Sequence, residues 1–291
     1  MKFGIMFAST GRFATPDGAA AIATAAEECG LESIWSVEHV LIPHGYQSQY
    51  PYHESGKIPG GEDPDIPDPL IWLAFAAGIT KQIKLATGIL IVPQRNPAVL
   101  AKECASLQKL SNNRFELGIG VGWLAEEFDA LGVPFAERGA RTDDYIAAMK
   151  ALWSQDKATY NSRFTNFTDV ISRPQPEGGD IPIIVGGHSE AAARRAGRYG
   201  TGFFPAKGTI DELTYLFDIV HGSARDHGRD PSAIEMTTGN WSPKRGTLDE
   251  VRTMEDAGVH RLIVAPPTGN VAKMRQAMEE LAERIAPVAT R

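Results

Sequence analysis

Cysteine is scarce in this chain: two residues in 291, Cys29 and Cys104, each inside an amphipathic helical pattern. Two thiols permit at most one disulfide, and neither sits at a metal-ligand spacing, so the expectation is reduced thiols in a cytoplasmic protein and no cysteine-built metal centre. Basic runs are missing altogether, and the formal net charge is −7. A nucleic acid or an anionic membrane surface is therefore not the expected partner. No apolar stretch reaches the roughly 18 to 20 residues that a membrane span needs. The opening MKFGIMFAST is too short in its apolar part for a signal peptide and reads directly as a first strand. Internal repeats, low-complexity tracts and long linkers are also lacking, which leaves one domain over residues 1–291. At 43% hydrophobic residues, that domain can bury a large core.

What is present alternates. Short apolar runs are predicted as strands at Lys2 to Phe7, Ser33 to Val37, Ile83 to Val92, Phe115 to Ile119, Ile183 to Val185, Gly202 to Phe204, Ile234 to Asn240 and Arg261 to Ala265. Helical periodicity fills the gaps, with good punctuation in places. Pro16 opens a helix and Gly30 follows its end; Asn96-Pro97 supplies an N-cap and a first-turn proline. Runs of this kind, apolar throughout and separated by helices, imply a parallel sheet covered on both faces, and eight of them imply a closed (β/α)8 TIM barrel. Two additions break the rhythm: a proline-, glycine- and tyrosine-rich loop from Leu41 to Asp68 after the second strand, and a predicted hairpin, Lys157 to Ile171, before the fifth.

A barrel of this type binds ligands where strands end and helices begin. That rule selects Glu38-His39, the end of the third strand, Gly118 to Glu127, and Gly186-Gly187-His188-Ser189. The glycines at 118, 120 and 122 read as places where a flat ligand approaches backbone, or as a tight turn packed for its own sake. Free amides at Gly186 to Ser189 suit a phosphate, and Ser189 suits an N-cap with or without one. A dipeptide such as Glu38-His39 is either a surface pair or a proton-handling group, histidine being the side chain whose ordinary pKa lies nearest neutrality.

Together these four places resemble the luciferase-like monooxygenase superfamily, and within it the branch that uses the deazaflavin coenzyme F420. The motifs are Glu38-His39, TGILIVPQRNPAVLAK, GIGVGW with its acidic pair, and IPIIVGGHSEAAARRAGRYGTGFF, in one order over nearly the whole chain. The resemblance implies hydride transfer between F420 and a small organic substrate, with His39 and Glu38 as the catalytic pair. It implies a non-proline cis peptide near Thr87, Gly88 and Ile89, set against the ring. It assigns Gly120, Gly122, Trp123 and Glu126 to the cofactor as well, with Glu126 or Glu127 at the pyrimidine end, and gives the phosphate to Gly186, Gly187, His188 and Ser189. Arg194 and Arg195 are read either as reaching the cofactor tail or as exposed helix charges. The relatives that act on sugar phosphates carry a glutamate just after the glycines of the fourth strand. This chain has Trp123 there, which argues against such a substrate. The resemblance also implies a homodimer. Two other readings remain open: an FMN-dependent monooxygenase supplied with reduced flavin by a partner reductase, and a flavin-binding barrel without chemistry.

Overall fold

Each run predicted as a barrel strand pairs in parallel with its neighbours in the computed structural model, which describes residues 1–290. In chain order the strands and helices are β1 (Lys2–Ile5), α1 (Pro16–Glu28), β2 (Ser33–Ser36), α2 (Pro69–Ile79), β3 (Lys84–Thr87), β4 (Leu90–Ile91), α3 (Pro97–Leu110) and β5 (Phe115–Gly120). Then come α4 (Ala125–Ala130), α5 (Arg138–Ser154), β6 (Ala158–Asn161), β7 (Asn166–Val170), β8 (Ile183–Gly186) and α6 (Glu190–Tyr199). The chain ends with β9 (Gly202–Phe204), α7 (Ile210–Asp226), β10 (Glu235–Thr238), α8 (Leu248–Asp256), β11 (Arg261–Val264) and α9 (Met274–Ile285). The barrel closes because β1 pairs with both β2 and β11, and β3 pairs with both β2 and β5. β6 and β7 form the predicted antiparallel hairpin outside it.

Alternation along each strand divides the core in two. Trp35, Ala86, Ile184, Phe204 and Ile263, from five different strands, form a cluster inside the barrel. Their neighbours, such as Ile34, Leu85, Ile183, Phe203 and Leu262, pack outward into the larger core under the helices. Gly4 lies beside Trp35, whose indole Nε1 donates to Ser33 Oγ at 2.8 Å; a side chain at position 4 would strike both groups.

The strands are not apolar at their beginnings. Arg261, 1% exposed, lies 2.7 Å from Glu32, 3.2 Å from Glu116 and 3.3 Å from Glu235. Lys84 reaches Glu116 at 2.5 Å, and Lys2 reaches Glu235 at 2.8 Å. Three cations and three carboxylates thus close the lower end of the barrel with balanced charge. Buried charges persist only when paired in this way. A depression of about 380 Å³ around Met1, Glu255 and His260 opens at this same end, away from the βα loops.

One strand departs from expectation. The third, predicted unbroken from Ile83 to Val92, is split into β3 and β4, and the Gly88–Ile89 peptide between them is cis. Cys29 and Cys104 are both free thiols, Cys104 fully buried.

Candidate functional site

The split strand shapes the barrel mouth. Past Gly88 the chain turns so that the Ile89 side chain lies across the ends of β5 and β8. A methyl group on Gly120 would collide with Ile89 Cδ1, and one on Gly186 would come within 2.7 Å of Ile89 Cγ2. Gly118 faces the carbonyl of Thr87, and Thr87 Oγ1 donates to Gly118 O at 2.6 Å. Gly122 has a φ of +81° and backs onto Phe128. These glycines therefore seat the bulge and helix α4. Of the two expectations for them, approach of a flat ligand or a tight turn packed for its own sake, these contacts describe the packing; the surface left toward the mouth is Ile89, which is half-buried.

Glu38 follows β2 and turns inward, 5% exposed. Its Oε2 accepts the Ile91 amide at 2.5 Å, while its Oε1 accepts Arg95 Nε at 3.0 Å and also Arg95 Nη2. Arg95 continues to Asp68 at 2.6 Å, the N-cap of α2. Burial pushes the Glu38 carboxyl up, against the pull of the guanidinium and the Ile91 N–H. With both oxygens engaged, Glu38 holds the segment that carries the bulge and has no free oxygen with which to take a substrate proton. Holding nearby backbone is the part that the alternation of neighbours along a strand assigns to Glu38, with His39 left to face the mouth.

His39 turns the other way. Its Nδ1 lies 3.1 Å from Glu127 Oε2, and Glu127 Oε1 accepts the amides of Val40 at 2.7 Å and Leu41 at 3.2 Å. The Glu127 side chain is 1% exposed. Burial raises its pKa, but the His39 contact and the Leu41 amide outweigh this and the net direction is down. Trp123 stands edge-on to His39, with ring centroids 5.8 Å apart.

Over these residues lies the Leu41 to Asp68 loop. Tyr46 and Tyr50 pack edge-on against Trp123 at 5.5 and 5.2 Å, and Tyr52 packs against His188 at 4.8 Å. Burial lifts the Tyr52 hydroxyl to a pKa of about 12. Glu126 pins this lid: its carboxylate accepts the Gln47 amide at 2.6 Å, the Ser48 amide at 3.1 Å and Ser48 Oγ at 2.6 Å. Those hydrogen bonds take its pKa down to about 2. Both Glu126 oxygens are thus engaged by the lid segment.

Across the mouth, β8 ends in Gly186, and Gly187 follows with a φ of +117°, a conformation that glycine adopts without penalty. Ser189 caps α6, its Oγ accepting the Ala192 amide at 3.2 Å. His188 Nδ1 is buried without a partner, while the Gln94 amide lies against Glu127 and helps to hold that carboxyl's pKa down. Arg195 is tied to Asp143 at 2.5 Å and Gly139 O at 3.2 Å, and Arg194 to Glu190 on its own helix, so neither is free to reach a ligand from its present position.

Residues 1–241 match the family model described as luciferase-like monooxygenase. The chain belongs to that family. It is similar to an F420-dependent glucose-6-phosphate dehydrogenase of Kineococcus radiotolerans, 30% identical over 91% of this chain and 80% of the relative. Two solved structures share the fold over 99% of both chains: the monooxygenase RslO1 from Streptomyces bottropensis, at 23% identity and a TM-score of 0.77, and an F420-dependent secondary alcohol dehydrogenase in complex with an F420–acetone adduct, at 18% and 0.81.

Two pairings in this luciferase-like site lie outside the sequence expectations: Glu38 with Arg95, and His39 with Glu127, which the resemblance offers only as an alternative to Glu126 at the pyrimidine end. Arg95 sits in the quoted QRNP motif but was read only as punctuation before a helix. Glu127 left a clearer signal. Leu124, Glu127, Phe128 and Leu131 fall at i, i+3, i+4 and i+7, so the glutamate occupies the apolar face of a short helix and needs a buried partner.

Proposed function

We propose that this chain is an F420-dependent oxidoreductase acting on a small organic substrate. The observation that carries the reading is the convergence at one barrel mouth of a histidine held by a buried carboxylate, His39, and the Ile89 bulge behind it. A polar, roughly planar ligand suits the remaining surface. His188 Nδ1 is buried without a partner, and burying such a group unsatisfied is costly. Ile89, with Thr87 and Gly88, would back the ring; Trp123 and His39 would flank the reacting side. The Gly187 amide is committed to Phe204 O at 3.1 Å, so the amides of His188 and Ser189, at the start of α6 where the helix dipole favours an anion, would hold the phosphate. When bound, the deazaflavin supplies hydride donation or acceptance, and the protein orients the partners, excludes water beneath the tyrosine lid and handles a proton at His39. Trp123, in the place of the glutamate of sugar-phosphate relatives, together with the tyrosines around it, favours an uncharged and partly apolar substrate.

FMN with a partner reductase is the second reading, favoured by the fold shared with a monooxygenase. The deciding experiment titrates purified protein separately with oxidised F420 and with FMN, following fluorescence quenching. Tighter binding of F420 is expected; tighter FMN binding moves the assignment to the monooxygenase reading, and binding of neither rejects both. Binding without turnover across a panel of alcohols and ketones would leave the non-catalytic reading.

A homodimer and a cytoplasmic setting complete the proposal. No helix among the described residues is long and apolar enough to cross a membrane. α2 carries no charged side chain, and Ile71 and Phe75 on its outer face are 72% and 43% exposed, with Ile79 beside them at 38%. An uncharged apolar stripe of this kind is complementary to itself about a twofold axis, as an isologous interface requires. Sedimentation at micromolar concentration is expected to show a dimer that Phe75→Glu converts to monomer; a wild-type monomer rejects it.

A further inference from the structure

Glu127 has no place in the proposed chemistry as a ligand contact, yet it is among the most deeply buried carboxylates of the molecule. Its surroundings explain what it does. One oxygen meets His39 Nδ1 at 3.1 Å; the other accepts the amides of the next two residues, Val40 and Leu41. An ionised carboxylate only accepts hydrogen bonds, so the imidazole must place its proton on Nδ1. Nε2 then carries the lone pair, and it has no hydrogen-bond partner among the described residues. The same carboxylate fixes the backbone just past the histidine, so the ring is constrained in both rotation and position. The partners that donate to Glu127 also keep it ionised despite its burial.

We infer that Glu127 is the positioning residue of the site, holding His39 in the tautomer whose free Nε2 exchanges the proton with substrate. The inference rests on the proposed function for its kinetic consequence, but its structural content concerns the ligand-free protein. A buried carboxylate on the far nitrogen of a histidine does two things: it selects the tautomer, and it stabilises the imidazolium that forms when the ring takes a proton.

The test begins without cofactor. A long-range proton–nitrogen correlation spectrum of histidine-labelled protein, recorded above about pH 8 so that ordinary histidines are neutral, reads which ring nitrogen carries hydrogen. Seven histidines are present, and His39→Asn identifies the signal of interest. The expected result is a protonated Nδ1 and a bare Nε2 at His39 in the wild type, with the two tautomers mixed in Glu127→Gln. Wild-type His39 protonated on Nε2, or an unchanged spectrum in Glu127→Gln, overturns the inference whether the cofactor is F420 or FMN. The wild-type spectrum alone decides the matter if Glu127→Gln does not fold. Kinetics follow. Glu127→Gln should lower kcat by at least about tenfold while cofactor affinity stays within roughly threefold, and Glu127→Asp, which keeps the charged acceptor, should recover most of the loss. Equal loss of kcat and of cofactor affinity in both variants would show a structural prop and reject the positioning role. Binding of neither flavin in the wild type leaves the tautomer result standing, so the two failures are told apart.

Discussion

Replacing His39 with alanine is expected to lower turnover by at least about 10²-fold while the affinity for the cofactor changes far less. Positioned proton transfer contributes about 10²- to 10⁴-fold, or roughly 3 to 5 kcal/mol of barrier, and His39 is the histidine at this mouth that a buried carboxylate holds in place with Nε2 uncommitted. Glu38, Glu126 and Glu127 are each saturated by internal donors, in turn Arg95 and the Ile91 amide, the Gln47 and Ser48 groups, and His39 with the Val40 and Leu41 amides. Removing the imidazole leaves Glu127 its two backbone donors, so the loop past β2 should stay in place and the defect should fall on kcat. The measurement is single-turnover reduction of the bound deazaflavin by a substrate found in the alcohol and ketone panel, beside a binding titration. A variant that reacts at nearly the native rate would show that the histidine is structural.

The elements were legible because their signals are local. β9 has the bounds that its apolar run predicts, and Asn96 caps α3 through the Ala98 and Val99 amides as its position before Pro97 implies. The interior of the barrel was not legible in the same way. Lys84, Glu116, Glu235 and Arg261 each stand first or second in a strand that reads as apolar overall, and only the ring closure brings them within ion-pairing distance. Nothing in a single strand announces a partner on another.

The same limit governs the site. His39 and Glu127 are 88 residues apart, and Glu38 and Arg95 are 57 apart. Sequence placed Glu38, His39, Gly120 and Gly186 at the mouth through the rule that strand ends carry function, but it could not orient them. Alternation along a strand predicts that Glu38 and His39 part company, but not that Glu38 meets Arg95 and the Ile91 amide. The glycines of β5 left ligand approach and packing both open because the occupant of the space beside them, Ile89, comes from a distant segment. Where a residue's reason lies in a tertiary neighbour, local pattern yields the position and leaves the cause open.

Arg95→Ala is expected to destabilise the fold by about 3 to 5 kcal/mol near neutral pH, the usual result of leaving one member of a buried ion pair without its partner. The guanidinium joins three segments: Glu38 after β2, Asp68 at the start of α2, and its own stretch between β4 and α3. Its loss would strand the Glu38 carboxylate, whose side chain is 1% exposed and keeps only the Ile91 amide. The pH dependence has a definite sign. Burial already raises the Glu38 pKa above 4.5, and Arg95 is the largest influence opposing that rise, so the variant's carboxyl should be raised further. A group whose folded pKa lies above its unfolded value contributes stability that is full below the unfolded pKa and is lost as pH rises through the folded one, at up to about 1.4 kcal/mol per pH unit. The deficit of Arg95→Ala relative to wild type should therefore be smallest near about pH 5 and widen toward about pH 8, as urea unfolding at a series of pH values would measure. Adding Glu38→Gln to Arg95→Ala removes the stranded charge, and should both recover part of the loss and flatten its pH dependence. A deficit below about 1 kcal/mol, or one that does not vary with pH, would mean that water reaches Glu38 and that the pair does not anchor the bulge.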